Sequence, residues 1–315
     1  MFVEEQLRGE IMHLTSQCKS LVLLAITTTF VLSCAASADA SILAYWRFEE
    51  GTSNTIASGA GSIADSAGSF TGTPTGNPTY RSAVGSNPVP SNGFANTLSL
   101  EFDGAGDFVL IPDPTGILNP TTAFTVEFWM RAGVQVAALE TLVDHSHGFV
   151  DQTGWAFQTQ PSGVMRFAVG DGGPFHEAIS FGTDVRDDAW HHIAGVFDST
   201  NDGQELSLYI DGILSGTDDN GGASALGNNR EVEFGRASGA GMPRYYDGFL
   251  DEIRISDEAL IPSQFLFSSA VPEPSSFVLM GMLSVCFVLG YRKSQSKNQT
   301  LGTSEAVSFS QPGNQ

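Results

Sequence analysis

Carboxylates dominate the reactive side chains of this sequence, with 35 Asp and Glu against 14 Lys and Arg for a net charge of −21. Hydrolysis of a glycosidic bond needs two of them facing each other, one as acid and one as nucleophile or base. Glu231-Val232-Glu233 lacks a third acid in register, and Asp251 and Glu252 are adjacent, so in a regular strand they point to opposite faces. Ser-His-Asp chemistry has no nucleophile motif in its favour. No catalytic residue is assigned.

Metal chemistry has more candidates. His145-Ser146-His147 would align two rings in a strand, and His191-His192 adjoin Trp190. Zinc needs three or four ligands with orienting partners, and no spacing supplies the rest. The first pair is therefore read as solvated loop histidines and the second as packing or hydrogen-bonded ones. Residues 198–203 resemble the start of an EF-hand loop, yet Thr200 and Tyr209 stand where ligands are needed, so a turn is the better reading. Calcium has one further route. Asp103 and Asp107 bracket a short loop, and by alternation Asp251 shares a face with Phe249, Ile253 and Ile255, which puts it inward or at the sheet margin. A buried carboxylate must be paired, hydrogen-bonded or metal-bound. Asp251 with Asp103 or Asp107 on a structural Ca²⁺ is one reading; an Arg partner or loop amides is the other. No organic cofactor is expected.

These groups must be positioned by strands. Alternation of apolar and polar residues marks many short ones, with turn residues between, and no helical pattern of useful length appears. In residues 205–210, Leu206, Leu208 and Ile210 face a core, and Asp211-Gly212 supplies a type I′ turn that returns the chain through Ile213 and Leu214. In residues 124–131, Phe124, Val126, Phe128 and Met130 alternate with Thr125, Glu127, Trp129 and Arg131. Outward aromatics form a natural sugar-stacking platform. Trp129 and Tyr209 qualify, with Tyr45 behind them. Residues 51–96, rich in Gly, Ser, Thr, Asn and Pro, read as a long loop with short strands around Ile56 and Ile63.

Six segments carry a family resemblance in order: AYWRFEEG, LSLEFDGAGDFVLIP, FTVEFWMR, WHHIAGVFD, LSLYIDG and GFLDEIRISDEAL. Together they resemble the concanavalin A-like, laminin-G-type jelly rolls. The resemblance implies an all-β, antiparallel two-sheet jelly-roll sandwich over residues 41–270. Many members bind glycans or proteins, often with a structural calcium ion, and some relatives are glycoside hydrolases. Those hydrolases carry a Glu-x-Asp-x-x-Glu or Glu-x-Asp-x-Glu run on one strand, which is absent here.

Both ends read as addresses. A short apolar run at residues 21–32 precedes Ala38-Asp39-Ala40, a small-x-small cleavage pattern, so residues 1–40 form a signal peptide with its start at Met1 or Met12. Pro272-Glu273-Pro274, an apolar segment at 277–291 and Arg292-Lys293 resemble, in that order, a PEP-CTERM sorting signal over 271–297. Basic residues after the apolar run hold that side cytoplasmic, and a polar tail covers 298–315. Cys18, Cys34 and Cys286 all fall in these end segments, leaving no disulfide framework between them. The implied partners are a signal peptidase, an exosortase-type peptidase, the membrane through the C-terminal helix before processing, and an extracellular glycan or surface protein. So acidic a chain repels phosphate backbones, and nucleic acid is not expected. The expected function is a noncatalytic adhesion module at the cell surface or in the extracellular matrix. An envelope or matrix structural protein is the alternative, and a glycoside hydrolase the third.

Overall fold

The computed structural model describes residues 41–133, 138–219, 225, 227–239 and 244–268. The expected signal peptide with Ala38 and Ala40, the Pro272-Glu273-Pro274 signal, the membrane segment and the polar tail lie outside these residues. The strands are β1 (Ile42–Trp46), β2 (Thr73–Thr75), β3 (Thr79–Arg81), β4 (Ser99–Asp103), β5 (Phe108–Ile111), β6 (Ala123–Ala132), β7 (Glu140–Asp144) and β8 (Thr153–Thr159). They continue as β9 (Met165–Asp171), β10 (His176–Ile179), β11 (Trp190–Asp198), β12 (Leu206–Ile210), β13 (Ile213–Asp218), β14 (Val232–Phe234) and β15 (Asp247–Ser256). All pair antiparallel, in two sheets. The first runs β13-β12-β11-β6-β15-β4-β3, with β1 also on β15; the second runs β10-β9-β8-β7-β14-β5-β2.

Alternation explains the sandwich. Phe124, Val126, Phe128 and Met130 of β6 turn inward beside Ile193 and Phe197 of β11. They meet Trp155 and Phe157 of β8 and Phe167 of β9, with Phe128 edge-on to Phe157 at 5.1 Å between ring centres. Gly195 of β11 lies where any side chain would enter the rings of Phe157 and Phe167, so this crossing needs glycine. Asp211 and Gly212 have φ of 51° and 75°, the left-handed pair a type I′ turn requires between β12 and β13.

Two departures from simple alternation matter. Residues 51–96 contain β2 and β3, which are only three residues long and include Pro74, while Ile56 and Ile63 make single bridges. The second departure is a bulge in β15. The register shifts between Asp251 and Arg254, and Glu252 takes φ 50°. Asp251 and Glu252 therefore both leave the core on the outer side of the first sheet, whereas Ile253 and Ile255 turn into it. This corrects both the opposite-faces expectation and the placing of Asp251 with the two isoleucines.

That outer side is not open. Leu260, Phe265 and Leu266, from the segment after β15, lie across it together with Val89 from the loop between β3 and β4. Backbone groups fasten the strap: Leu260 N donates to Thr125 Oγ1 at 2.9 Å, and Ser91 N donates to Leu266 O at 3.2 Å.

Candidate ligand-binding face

The aromatic platform expected from alternation is covered. Trp129 and Tyr45 do leave the first sheet on its outer side, but they are 3% and 4% exposed, packed with Val89 and Leu266. Gly85 lies against the indole of Trp129, where a side chain would collide with the ring. Tyr209 is half-buried against Phe265 at 5.2 Å between ring centres. Alternation tells which side a residue takes; it is silent on what later segments lay over that side. Tyr45 borders a cavity of about 480 Å³ that Phe94, Ser91 and Arg254 also line.

Polar groups under the strap pair with one another. Glu127 Oε1 accepts from Arg254 Nε at 2.8 Å, while its Oε2 accepts from Leu266 N at 2.7 Å and lies 2.9 Å from His192 Nε2. Burial alone would raise its pKa; the Arg254 charge and His192 outweigh that and hold it below the ordinary value. Glu252 accepts from Tyr45 Oη and from Arg47 Nη2. Asp251 Oδ2 accepts from Asn96 Nδ2 at 2.7 Å and Gly85 N at 3.1 Å, which is the loop-amide arrangement. Burial with these few donors drives its pKa well up.

The proposed calcium ligands do not converge. Asp107 accepts from Asn77 N at 2.7 Å and Asp103 N at 3.3 Å, and Asp103 accepts from Ala105 N at 2.8 Å. Asp103 is the register partner of Asp247, which puts Asp251 four residues, or about 13 Å, further along β15. Among the described residues, no three His, Cys, Asp or Glu are grouped to hold a metal ion. The histidines are similarly occupied. His145 is buried, not solvated, with Nε2 at 3.1 Å from Asp113 Oδ2 and its ring stacked on Trp155. His191 lies between Asp211 Oδ2 at 2.8 Å and Asp187 Oδ1 at 3.1 Å, and the Asp211 hydrogen bond is the chief cause of its raised pKa. Asp198 Oδ1 accepts from Thr200 N at 2.9 Å, a turn as read from the sequence.

The outer side of the second sheet differs. Strand register sets two rows across it. One row is Ile179, Arg166, Gln158 and Thr141; the next is Glu177, Ala168, Ala156, Asp144, Glu233 and Leu110. Phe149 packs on Ala156 and Ala168 and stacks on Phe175 at 4.9 Å between ring centres. The guanidinium of Arg166 sits over the Phe175 ring at 4.8 Å, while its Nη2 donates to Glu177 at 2.5 Å. Gln158 Nε2 donates to Thr141 Oγ1 at 3.2 Å. Two atoms here are buried without a partner: the acceptor Gln158 Oε1 and the donor Arg166 Nε, on residues directly opposite each other in neighbouring strands.

Asp144 and Glu233 are a carboxylate pair that sequence spacing concealed, because pairing of β7 with β14 creates it. Both are committed to loops. Asp144 accepts from Ser146 N at 3.1 Å, Ser146 Oγ at 2.5 Å and Gly148 N at 3.3 Å. Glu233 accepts from Arg236 Nη2 at 2.6 Å and Ser238 N at 2.9 Å. Burial pushes the Asp144 carboxyl up to about 6, a value suited to a general acid, yet the residue is only 1% exposed. Gln158 and Arg166 were likewise missed, although alternation within β8 and β9 places both away from Phe157 and Phe167. Which strands stand side by side was not readable.

Residues 103–264 match the Laminin_G_3 family, described as the concanavalin A-like lectin/glucanase superfamily. The chain belongs to this family. A mouse protein, sushi, von Willebrand factor type A, EGF and pentraxin domain-containing protein 1, is 29% identical over 196 residues, and its rat counterpart is 27% identical. Each match covers 57% of this chain and 5% of that relative's own length. Among solved structures, domain 4 of the extracellular GH43 arabinanase AbnA from Geobacillus stearothermophilus, in complex with arabinotriose, aligns with TM-score 0.51 and 19% identity. That alignment covers 72% of this chain and 97% of the domain. The receptor-binding domain of the botulinum neurotoxin C/D mosaic serotype aligns with TM-score 0.51 and 13% identity, over 72% of this chain and 51% of that one. At such identities the likeness is one of fold.

Proposed function

We propose that this protein is a noncatalytic glycan-binding module, exported and sorted to the cell surface, and that it binds on the outer side of the second sheet. One observation carries the proposal: half-buried Arg166, its guanidinium over the Phe175 ring, keeps Nε unpartnered, and its register partner Gln158 is buried with Oε1 unpartnered. A sugar hydroxyl both donates and accepts, and a pyranose or furanose ring presents an apolar face to an aromatic, so the three features suit one ligand class. Neighbours in fold support the class, since one is a complex with arabinotriose and another concerns a toxin whose cell entry depends on two ganglioside molecules. Against hydrolysis stand the buried, fully engaged Asp144 and the Arg236-paired Glu233. Export and sorting rest on the small-x-small site and the Pro272-Glu273-Pro274 pattern. Glycan-array binding that disappears in Arg166→Ala and Gln158→Ala supports the proposal; turnover of any polysaccharide in a panel would replace it.

A second reading, assembly with neighbouring proteins, draws on a different observation. Phe181 is 94% exposed and Ile213 70% exposed, and Phe181 N donates to Ser215 O at 2.9 Å, which places both near the β10–β13 edge. Ordered self-association without glycan binding, abolished by Phe181→Ser, would favour it.

A further inference from the structure

An apolar patch surrounds the tip of the β12–β13 hairpin, at one end of the sandwich. Ile213 and Leu214, just past the Asp211-Gly212 turn, are 70% and 47% exposed. Phe181 is 94% exposed, and the hydrogen bond from its N to Ser215 O sets its backbone against the residue after Leu214. Phe267, 40% exposed, closes the other flank, since a side chain on Gly212 would meet its ring at 3.2 Å. The turn itself needs only Asp211-Gly212, and nothing in its geometry asks for large apolar residues beside it.

Charge does not explain the patch. The titratable groups at this end are spent on one another: His191 lies between Asp211 and Asp187, and Arg131 pairs with Asp188. No lysine occurs in residues 41–268. Two occupants suit such a surface, a second copy of the chain and a lipid layer. Area argues against the copy: at about 200 Å² per fully exposed side chain the four present roughly 500 Å², below the ~800 Å² per partner of a stable interface. Position argues for lipid. Phe267 adjoins Ser268, the last residue described, and the apolar segment 277–291 begins nine residues after Ser268. Such a length spans at most about 30 Å, so a segment held in a bilayer keeps the patch within that reach of its surface.

We propose that the tip of the β12–β13 hairpin, with Phe181 and Phe267 beside it, is a lipid-contacting surface that seats the domain on the membrane holding its C-terminal segment. The inference rests on the export and sorting reading, with residues 277–291 as that segment, and adds what the folded domain does there. Ile213, Leu214 and Phe181 enter the headgroup boundary, while Asp211 and Asp187 stay at its rim with His191. Binding comes from apolar area and not from charge, so it should be insensitive to salt and gain nothing from anionic lipid.

Full-length protein reconstituted in phosphatidylcholine vesicles whose acyl chains carry bromine, a fluorescence quencher, tests the inference. Ile213→Trp adds one indole at the tip, Asp202→Trp adds one on the turn at the other end of β12, and the wild type supplies the background of four native tryptophans. Both positions are exposed, so both variants should melt with the wild type. The emission added by Ile213→Trp should be largely lost to brominated lipid and that added by Asp202→Trp retained. Molar salt and added phosphatidylglycerol should leave that contrast unchanged, and Phe181→Ser in the Ile213→Trp background should weaken it. Equal quenching of the two variants in vesicle-bound protein would overturn lipid contact and leave the membrane segment standing. Shielding of the Ile213→Trp indole from an aqueous quencher that is as strong in detergent and is lost on dilution would overturn it in favour of a second copy. If the full-length protein does not float with vesicles at all, the membrane segment and the lipid contact both fall.

Discussion

The two outer sides of this sandwich are built from similar residues and put to opposite uses. On the first sheet, Trp129, Tyr45, Glu127 and Asp251 would make a plausible binding surface, but residues 259–267 and the β3–β4 loop lie over them and take up their hydrogen bonds. On the second, the row of Arg166, Gln158 and Thr141 keeps an unmatched donor and acceptor. Residue type does not separate the two. What separates them is the cover that the strap and the β3–β4 loop lay over the first side, although Asp251 Oδ1, Asn96 Oδ1 and His192 Nδ1 beneath it are also buried without a partner. The covered face returns its polar groups as stability; on the second side we propose that partly exposed Arg166 serves a ligand.

The sharpest way to break this comparison is to disturb the covered side. Trp129→Ala should destabilise the fold by about 3–5 kcal/mol, because it opens a cavity beneath the strap. Glu127→Ala should cost a similar amount, roughly 3–5 kcal/mol, by stranding half-buried Arg254 and buried His192. Chemical denaturation measures both; a change within experimental error in either would mean the strap is not seated there.

Next in size is a pH effect at Asp144. Its folded-state pKa of about 6 lies above the ordinary 3.8, so its contribution is fully present below pH 3.8 and is lost as pH rises through about 6. The wild type should therefore lose on the order of 3 kcal/mol relative to Asp144→Asn between pH 4 and 7. Parallel pH–stability curves for the two would contradict the assigned burial. His191 adds a smaller effect. Its raised pKa makes its contribution full below the ordinary 6.5 and lost above the folded value, while lowered Asp211 and Asp187 lose theirs on acidification. His191→Gln should flatten stability above pH 6.5, and an NMR titration should place the imidazole midpoint above that value.

Arg166→Ala on the second sheet's outer side should cost only about 1 kcal/mol of stability, since its ion pair with Glu177 is partly solvated, yet it should abolish glycan binding. The smallest effect concerns calcium. Melting curves in calcium and in chelator should coincide, because Asp103, Asp107 and Asp251 do not come together. A stabilising shift of several degrees would instead supply a cation as the missing partner of Asp251 Oδ1 and Asn96 Oδ1.

Much of the framework was legible beforehand. The alternation at 124–131 and 205–210 and the Asp211-Gly212 turn lead directly to β6, β12 and the hairpin, and six ordered segments lead to the family. The site was less accessible. A bulge at Glu252 reverses the alternation that had placed Asp251 inward, and no residue type announces it, since a non-glycine residue bears the positive φ. The strap was partly readable, for Leu260, Phe265 and Leu266 are apolar residues outside any strand and had to cover something. The row from Arg166 to Thr141 exists only because β7, β8 and β9 are neighbours, and register across strands is a property of the assembled sheet, not of any one segment.

The central claim is that the second sheet's outer side recognises glycans while the first sheet's outer side is structural. A glycan array probed in parallel with wild type, Arg166→Ala and Trp129→Phe tests it most directly. The account predicts binding by wild type and by Trp129→Phe, and none by Arg166→Ala. Binding that survives Arg166→Ala but fails in a folded Trp129→Phe would contradict it and return recognition to the covered side.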